Sequence, residues 1–215
     1  MSVFASILVP LDGSRLAARS LGCATWLAAR LGARLHLLSA TPRELPAREE
    51  LARLQVPEAH WPLVTLHQAP TYPEDAILAA VARHEVSLVV MTAGGQTAEA
   101  APPGGEADVE SAVGHVSRVV LERSPVPVLL LPPAYREALP WERVLVPVSG
   151  ELEGDEALAL AVRLANALDL VVHVAHVTDA DTGDEEGLPS SIQEAMGYGL
   201  AVVSTRHSGI PEAVE

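Results

Sequence analysis

The stretch "ILVPLDGS" at residues 7–14 decides the fold, and a near copy, "VLVPVSGE", returns 137 positions later at residues 144–151. In both copies an apolar, β-branched run leads into a short turn and then into a helical pattern. Such runs are typical of strands that are buried on both faces of a parallel sheet. The two copies therefore predict an α/β protein in which one structural unit is duplicated.

Strand patterns and helical patterns alternate over the first 132 residues. Strands are predicted at 3–11, 33–40, 62–68, 86–91 and 126–132. Helices are predicted between an N-cap at Ser14 and a stop at Gly32, and at 44–55, 73–85 and 113–123. This alternation predicts an open, doubly wound parallel sheet of five strands with right-handed crossovers.

A smaller α/β half-domain is predicted after this sheet. Residues 92–112 are rich in Gly, Ala, Pro and acid, as in a long loop. The β–helix–β pattern then restarts, with a strand, a helix and a strand at 143–149, 154–169 and 170–177. We therefore divide the chain into a first domain, a linker, a partial second repeat and a tail, at 1–132, 133–142, 143–177 and 178–215.

The charge excludes several function classes. The formal net charge is −14, and each of the 14 basic residues is an arginine. A protein this acidic repels nucleic acid and anionic membranes unless it has a basic patch, and the arginines are scattered. Without lysine, P-loop and Schiff-base chemistry are also excluded. A bound phosphate would have to be held by backbone N–H groups at a helix N-terminus.

The expected location is the cytoplasm. The longest apolar runs, such as "VPVLLL" at 126–131, fall far short of the ~20 residues that a membrane span needs. No secretory signal pattern opens the chain. Cys23, the single cysteine, cannot form an internal disulfide, which suits a reducing compartment.

A ligand site is predicted where the strand order of the sheet reverses, because open α/β sheets bind ligands there. Pro10, Leu11 and Asp12 end the first strand, Met91 ends the fourth, and Gly114 begins the fourth helix. The Asp12 carboxylate could accept from a ribose hydroxyl while backbone amides cradle a phosphate. An Asp-Gly turn and a Gly-led helix are also common as purely structural features, and both interpretations stay open.

The segments "ILVPLDGS", "LVVM" and "GHVSRVVLERSPVPVLLLP" resemble the universal stress protein family over residues 3–132. The resemblance implies a flavodoxin-like, Rossmann-like fold and dimerisation through the last strand. One branch of that family binds ATP through a Gly-x2-Gly-x9-Gly-[Ser/Thr] loop, and another branch does not bind nucleotide. Here Ala101 stands in the place of the first glycine, and His115 in the place of the hydroxyl residue.

Site roles follow from the same resemblance. Asp12 is expected at the ribose, beside Pro10 and Leu11, and Ala40 is expected to offer backbone to the adenine. The residues expected around the phosphates are Met91, Gly95, Gly114, His115, Val116 and Ser117. In the second copy Ser149 stands where Asp12 stands, so the repeat is expected to keep the scaffold and to lose the ribose ligand.

The tail resembles a different family. "EAMGYGLAVVSTRHSGIPEAV" at 194–214, with Glu186 and Glu194 in an E-x7-E spacing, is similar to the nucleotide-sugar-binding domain of GT-B family 4 glycosyltransferases. The resemblance implies that Glu194 contacts a ribose and that Glu186 lies near the sugar and diphosphate. Alternatively, a helix at 189–198 and a strand at 200–204 complete the small α/β unit.

No metal site is predicted. His173 and His176 are three residues apart on a strand and so point to opposite faces. The acidic stretch "DADTGDEE" at 179–186 lacks the glycine position of a calcium loop and reads as a solvated loop.

The sequence therefore predicts a universal-stress-protein-like, non-enzymatic stress-response module with ATP or another adenine nucleotide as its ligand. Two alternatives are a structural dimerisation module without ligand and a nucleotide-sugar binder that uses the tail. The apolar edge at 126–131 needs a partner strand. Either the half-domain or a second subunit in a homodimer would supply it.

Overall fold

The computed structural model of the protein describes residues 4–94, 113–132, 135, 139–148, 155–176 and 202–204. The strands are β1 Ser6–Pro10, β2 Arg34–Ala40, β3 Val64–Ala69, β4 Leu88–Thr92, β5 Val128–Leu131, β6 Arg143–Val148, β7 Val171–His176 and β8 Val202–Ser204. The helices are α1 Arg15–Leu31, α2 Ala47–Arg53, α3 Pro73–Arg83, α4 His115–Arg123 and α5 Asp155–Leu168, with a 3-10 helix at Glu58–Leu63.

The predicted five-stranded parallel sheet is confirmed. Its strand order is β3-β2-β1-β4-β5, and each neighbouring pair runs parallel. The central strand β1 contributes Ile7, Leu8 and Val9, all fully buried. Both faces of the sheet are covered by helices, which explains the continuous apolar pattern of the strands.

Helix α1 begins and ends where its capping residues predict. The Ser14 side chain accepts from the Ala17 N–H at 3.1 Å, which satisfies one donor of the first turn. Gly32 ends the helix in the left-handed region at φ +64°, a conformation that glycine adopts without steric cost.

Two clusters of buried side chains form the core, one on each face of the sheet. On the first face, α1 and α2 pack on the sheet, and buried members include Leu21, Leu27, Leu51 and Leu54. On the second face, α3 and α4 pack through Ala76, Ile77, Val81 and Val120. Odd-numbered residues of β1 belong to the first cluster, whereas Leu8 belongs to the second.

The third strand starts later than its predicted position at residue 62. Pro62 and Leu63 belong to the 3-10 helix, and β3 begins at Val64. The Trp61 indole N–H donates to the Val56 carbonyl at 3.0 Å and ties this turn to the end of α2. The apolar pattern continues through Pro62 and Leu63, so periodicity alone could not locate this boundary.

The second unit repeats the geometry of the first. β6 pairs with β7 in parallel, and Val144 faces Val172 just as Ile7 faces Leu35, each 137 positions earlier. The unit packs on the first cluster of the core through Leu164 and Leu168 of α5. A tilted contact between Trp26 of α1 and Trp141, just before β6, has ring centroids 5.3 Å apart.

The strand β8 pairs with the first sheet and not with β6 or β7. Val202–Ser204 runs antiparallel to Val128–Leu130 of β5. An open strand edge carries unpaired N–H and C=O groups, and β8 satisfies those of β5 within the chain. Of the two expected partners for this edge, the protein's own C-terminal part is therefore the one observed. The predicted helix at 189–198 lies outside the described residues.

Among the described residues, no helix has the length and apolar character that a membrane crossing requires.

The buried sheet gives a direct stability prediction. Leu37→Ala, at a fully buried position of β2, should lower the free energy of unfolding by about 3 kcal/mol because it leaves a cavity in the core. The matched control is Leu63→Ala, at a side chain that is 61% exposed, which should change it by less than about 0.5 kcal/mol. Urea denaturation followed by circular dichroism measures both, and equal losses would contradict this assignment of the core.

Candidate functional site

The strand order places one crevice at the carboxyl edge of the sheet. From β1 the chain proceeds to β2 and β3 on one side, whereas β4 and β5 lie on the other side. β1 and β4 are hydrogen-bonded neighbours, so the connections that leave their ends diverge above that pair. Crevices of this kind are where open α/β sheets bind ligands.

Asp12 lies in the turn between β1 and α1, at the carboxyl end of β1. Its Oδ1 accepts from the Ser14 N–H at 2.8 Å, an interaction that closes a tight turn. Gly13 makes this turn possible at φ +87°. The Gln55 side-chain amide donates to the Gly13 carbonyl at 2.8 Å. The carboxylate is therefore held in one orientation by the fold itself.

The first turn of α4 lies at the carboxyl end of β4, where hydrogen bonds hold it in place. The Gly114 N–H donates to the Ala93 carbonyl at 2.7 Å, and the buried Ser117 hydroxyl donates to the Thr92 carbonyl at 3.1 Å. These two predicted ligand-binding groups are thus engaged within the fold. The backbone N–H groups of His115 and Val116, also in the first turn, have no acceptor inside the helix.

The His115 side chain extends toward α3. Its Nε2 lies 3.8 Å from Oε1 of Glu74, which is an ion-pair distance but longer than a hydrogen bond. The imidazole is 77% exposed, and the Glu74 side chain is 19% exposed. A second exposed pair, Arg123 with Asp75 at 4.0 Å, joins the same two helices.

The other predicted residues lie at the ends of the strands. Leu11 and Met91 are buried and belong to opposite core clusters, while Pro10 and Ala40 are partly exposed. They can therefore contribute backbone and a floor to the crevice. Gly95, Glu186 and Glu194 lie outside the described residues.

The sequence interpretation missed a charged network beside Asp12. Glu50 on α2 is fully buried and accepts two hydrogen bonds from Arg53, at 2.8 Å to Oε2 and 2.6 Å to Oε1. Arg53 also donates to the Ser39 hydroxyl, near the end of β2, at 3.0 Å. A Cβ built on Gly13 would lie 3.2 Å from Arg53 Nη1, so the guanidinium rests against the Asp12–Gly13 turn.

The pKa values of this network follow from its geometry. Hydrogen bonds from Arg53 hold the pKa of Glu50 below its ordinary value, and burial opposes that shift. Glu50 in turn raises the pKa of Arg53, with a smaller contribution from the Asp12 charge. The signal in the sequence is the i, i+3 spacing of Glu50 and Arg53 on a short amphipathic helix, but that spacing is equally common on solvated helix faces.

Comparisons with known proteins agree with this architecture. The model of the universal stress protein family matches residues 4–132 and 140–198. A universal stress protein structure from Pseudomonas aeruginosa UCBPP-PA14 is 19% identical with a TM-score of 0.60, and covers 91% of this chain and 67% of that chain. A universal stress protein structure from Archaeoglobus fulgidus DSM 4304 is 19% identical with a TM-score of 0.54. The match covers 91% of this chain and 75% of that chain. At these identities, the structures support the fold.

A short stretch is similar to glycosyltransferases. Over 39 residues the chain is 64% identical to the colanic acid biosynthesis glycosyltransferase WcaL of Escherichia coli (strain K12). It is 59% identical, also over 39 residues, to the amylovoran biosynthesis glycosyltransferase AmsK of Erwinia amylovora. The match covers 18% of this chain and spans only 9% of the length of each of these curated relatives.

The Glu50–Arg53 pair predicts a pH-dependent loss of stability. Arg53→Met should lower the free energy of unfolding by about 2 kcal/mol at pH 7, because it leaves a buried carboxylate without its partner. The pair stabilises the fold above the ordinary Glu50 pKa of 4.5, and this contribution is lost as the pH falls through the lowered pKa of the folded state. The difference between wild type and variant should therefore shrink below pH 4.5.

Urea denaturation between pH 7 and pH 3.5 measures this difference. Arg48→Met, at an exposed position of the same helix, is the matched control and should behave like the wild type. The double variant Glu50→Gln/Arg53→Met should recover part of the loss. A pH-independent deficit in Arg53→Met would contradict the ion-pair explanation.

Proposed function

Because the chain belongs to the universal stress protein family, we propose that it is a non-enzymatic stress-response module whose crevice binds ATP or another adenine nucleotide. The observation that carries this proposal is the pairing of β1 with β4. It brings a carboxylate, Asp12, and the first turn of a helix, α4, to the two sides of one strand-order reversal. A ribose hydroxyl and a phosphate need those two kinds of group.

The nucleoside would occupy the β1–β2 side. A carboxylate has about four lone-pair positions, so Asp12 can accept from a ribose hydroxyl while Oδ1 holds the Ser14 N–H. The backbone at Ala40 would meet the adenine. Pro10, Leu11 and Met91 would form the floor between ribose and base.

The phosphates would occupy the β4–α4 side. The N–H groups of His115 and Val116 would donate to them, assisted by the positive end of the helix. Gly114 and Ser117 would act indirectly, because their bonds to Ala93 and Thr92 fix the angle of the helix. Gly95 belongs to the same proposal through the family motif.

Replacing Asp12, the residue proposed to accept from the ribose, tests the proposal. Asp12→Asn should weaken ATP binding at least tenfold, since a hydrogen bond to a charged group contributes about 1.5–3 kcal/mol and tenfold corresponds to about 1.4 kcal/mol. Asp169→Asn, the same change at an exposed turn after α5, is the control. Isothermal titration calorimetry measures both. Equal affinities would remove Asp12 from the site, and no saturable binding by the wild type would favour the ligand-free structural module.

The nucleotide-sugar alternative has its own test. Titration with a UDP- or GDP-sugar should give no saturable binding if the short glycosyltransferase-like stretch is only a structural remnant. Binding that is lost in Glu194→Ala would instead establish a second site, with Glu186 as its other carboxylate. The stretch spans 9% of the length of that relative, and the relative's activity is not part of this proposal.

A homodimer and a cytoplasmic location complete the proposal. The family resemblance suggests a dimer through residues 126–131. Because β8 already pairs with Val128–Leu130, a second subunit would have to replace β8 or pair with its outer edge. The net charge of −14 argues against nucleic acid and anionic membranes as partners.

A further inference from the structure

Three histidines from three different elements stack against one another on the α3 face of the sheet. His36 lies on β2, His67 on β3, and His84 directly follows α3. The rings of His67 and His84 are stacked with centroids 3.9 Å apart, and His36 lies 5.2 Å from the first and 5.7 Å from the second. This histidine stack links the outermost strand of the sheet and a helix to β2.

The contacts within the stack favour neutral imidazole rings. His36 Nδ1 and His67 Nε2 are 2.9 Å apart, a distance at which one nitrogen donates and the other must accept. If both rings were protonated, two N–H groups would face each other. His36 is only 7% exposed, and its other nitrogen, Nε2, is buried without a hydrogen-bond partner. A charge on that ring would be poorly solvated.

The charged groups around the stack disfavour protonation further. Burial, then His84, then Arg34 of β2 lower the pKa of His36. Burial, then His84, His36 and Arg83 of α3 lower the pKa of His67 to about 4. The neighbouring groups that lower these two pKa values are thus all bases: Arg34 and His36 of β2, Arg83 at the end of α3, and His84 directly after it.

Three histidines also suggest a metal site, but the geometry opposes it. A metal ion lies in the plane of each imidazole that binds it, and these rings are stacked with interplanar angles of 17–24°. Stacked rings direct their lone pairs into separate, nearly parallel planes. Accordingly, no group of three or more metal-ligating side chains suited to an ion occurs among the described residues.

We propose that the histidine stack is a pH-dependent switch. At neutral pH it holds β3 and α3 against β2, and on acidification it weakens their packing against β2. Protonation of both His36 and His67 leaves their shared hydrogen bond without an acceptor and places two positive charges on rings whose centroids are 5.2 Å apart. The elements released first would be β3, an edge strand with one paired neighbour, and α3, which ends at the stack. This switch does not depend on nucleotide binding.

The sign of the pH dependence follows from proton linkage. The folded state binds protons more weakly at His36 and His67 than the unfolded chain does. The stack therefore contributes full stability above the unfolded pKa of 6.5, and this contribution is lost as the pH falls from there toward about 4. The wild type should take up protons on unfolding throughout this window.

The first test compares proton uptake on unfolding in the full chain. At pH 5.5 an unfolded histidine is about nine-tenths protonated, whereas folded His67 is almost neutral. His67→Gln should therefore take up roughly 0.9 proton fewer on unfolding, measured as the slope of the unfolding free energy against pH. His173→Gln, at an exposed position on β7, is the matched control and should match the wild type. Equal slopes for all three proteins would overturn the proposal.

The second test shows which elements lose protection on acidification, and it does not require the His67 variant to fold. Hydrogen–deuterium exchange, corrected for intrinsic rates, should show at least tenfold lower protection in β3 and α3 at pH 5 than at pH 7, with β1 and β4 unchanged. In His84→Gln, removal of the neighbouring imidazole should raise the pKa of His67 in an NMR titration. A uniform loss of protection, or an unchanged His67 pKa in that variant, would overturn the switch.

Discussion

The complete burial of β1 is the constraint on which the other features depend. Ile7, Leu8 and Val9 have no exposed surface, so the strand must have strands on both sides and helices on both faces. A strand buried in this way suits a parallel sheet, in which crossover helices cover the faces. The end of such a strand must then emerge beside the end of β4. The crevice is thus a consequence of how the centre of the sheet is buried.

At the carboxyl ends of β1 and β4, the fold itself uses polar groups that the sequence predicted as ligand contacts. The Gly114 N–H and the Ser117 hydroxyl bind carbonyls at the end of β4, and the Asp12 carboxylate receives the Ser14 N–H. These bonds stabilise the turn after β1 and the start of α4. They also mean that the donors left on α4 for a ligand are the backbone N–H groups of its first turn.

The second unit keeps the apolar strand pattern of the first but not its carboxylate. β6 and β7 keep the register of β1 and β2, since the residues that determine strand pairing are apolar and recur 137 positions later. Ser149 in the place of Asp12 removes the carboxylate without disturbing that pattern. The unit then packs against α1 through Leu164 and Leu168, so it covers part of the first core.

Much of the fold could be predicted from periodicity and capping. The strands of the first sheet, the limits of α1 at Ser14 and Gly32, and the positions of Asp12 after β1 and of Gly114 at the start of α4 all follow from local patterns. The start of β3 could not be placed in this way, because an apolar residue fits a turn as well as a strand. Nor could the burial of Glu50, since a charged side chain on a short helix is normally solvated.

The sequence by itself indicated the α/β class, the parallel sheet and the strand ends at which a ligand site is proposed, because the alternation of short local patterns predicts them. Only the tertiary structure decided that Arg53 reaches the Asp12 turn, that three distant histidines stack, and that β8 pairs with β5. Each of these contacts joins segments far apart in the sequence. No local pattern specifies them, because they arise only when packing brings the segments together.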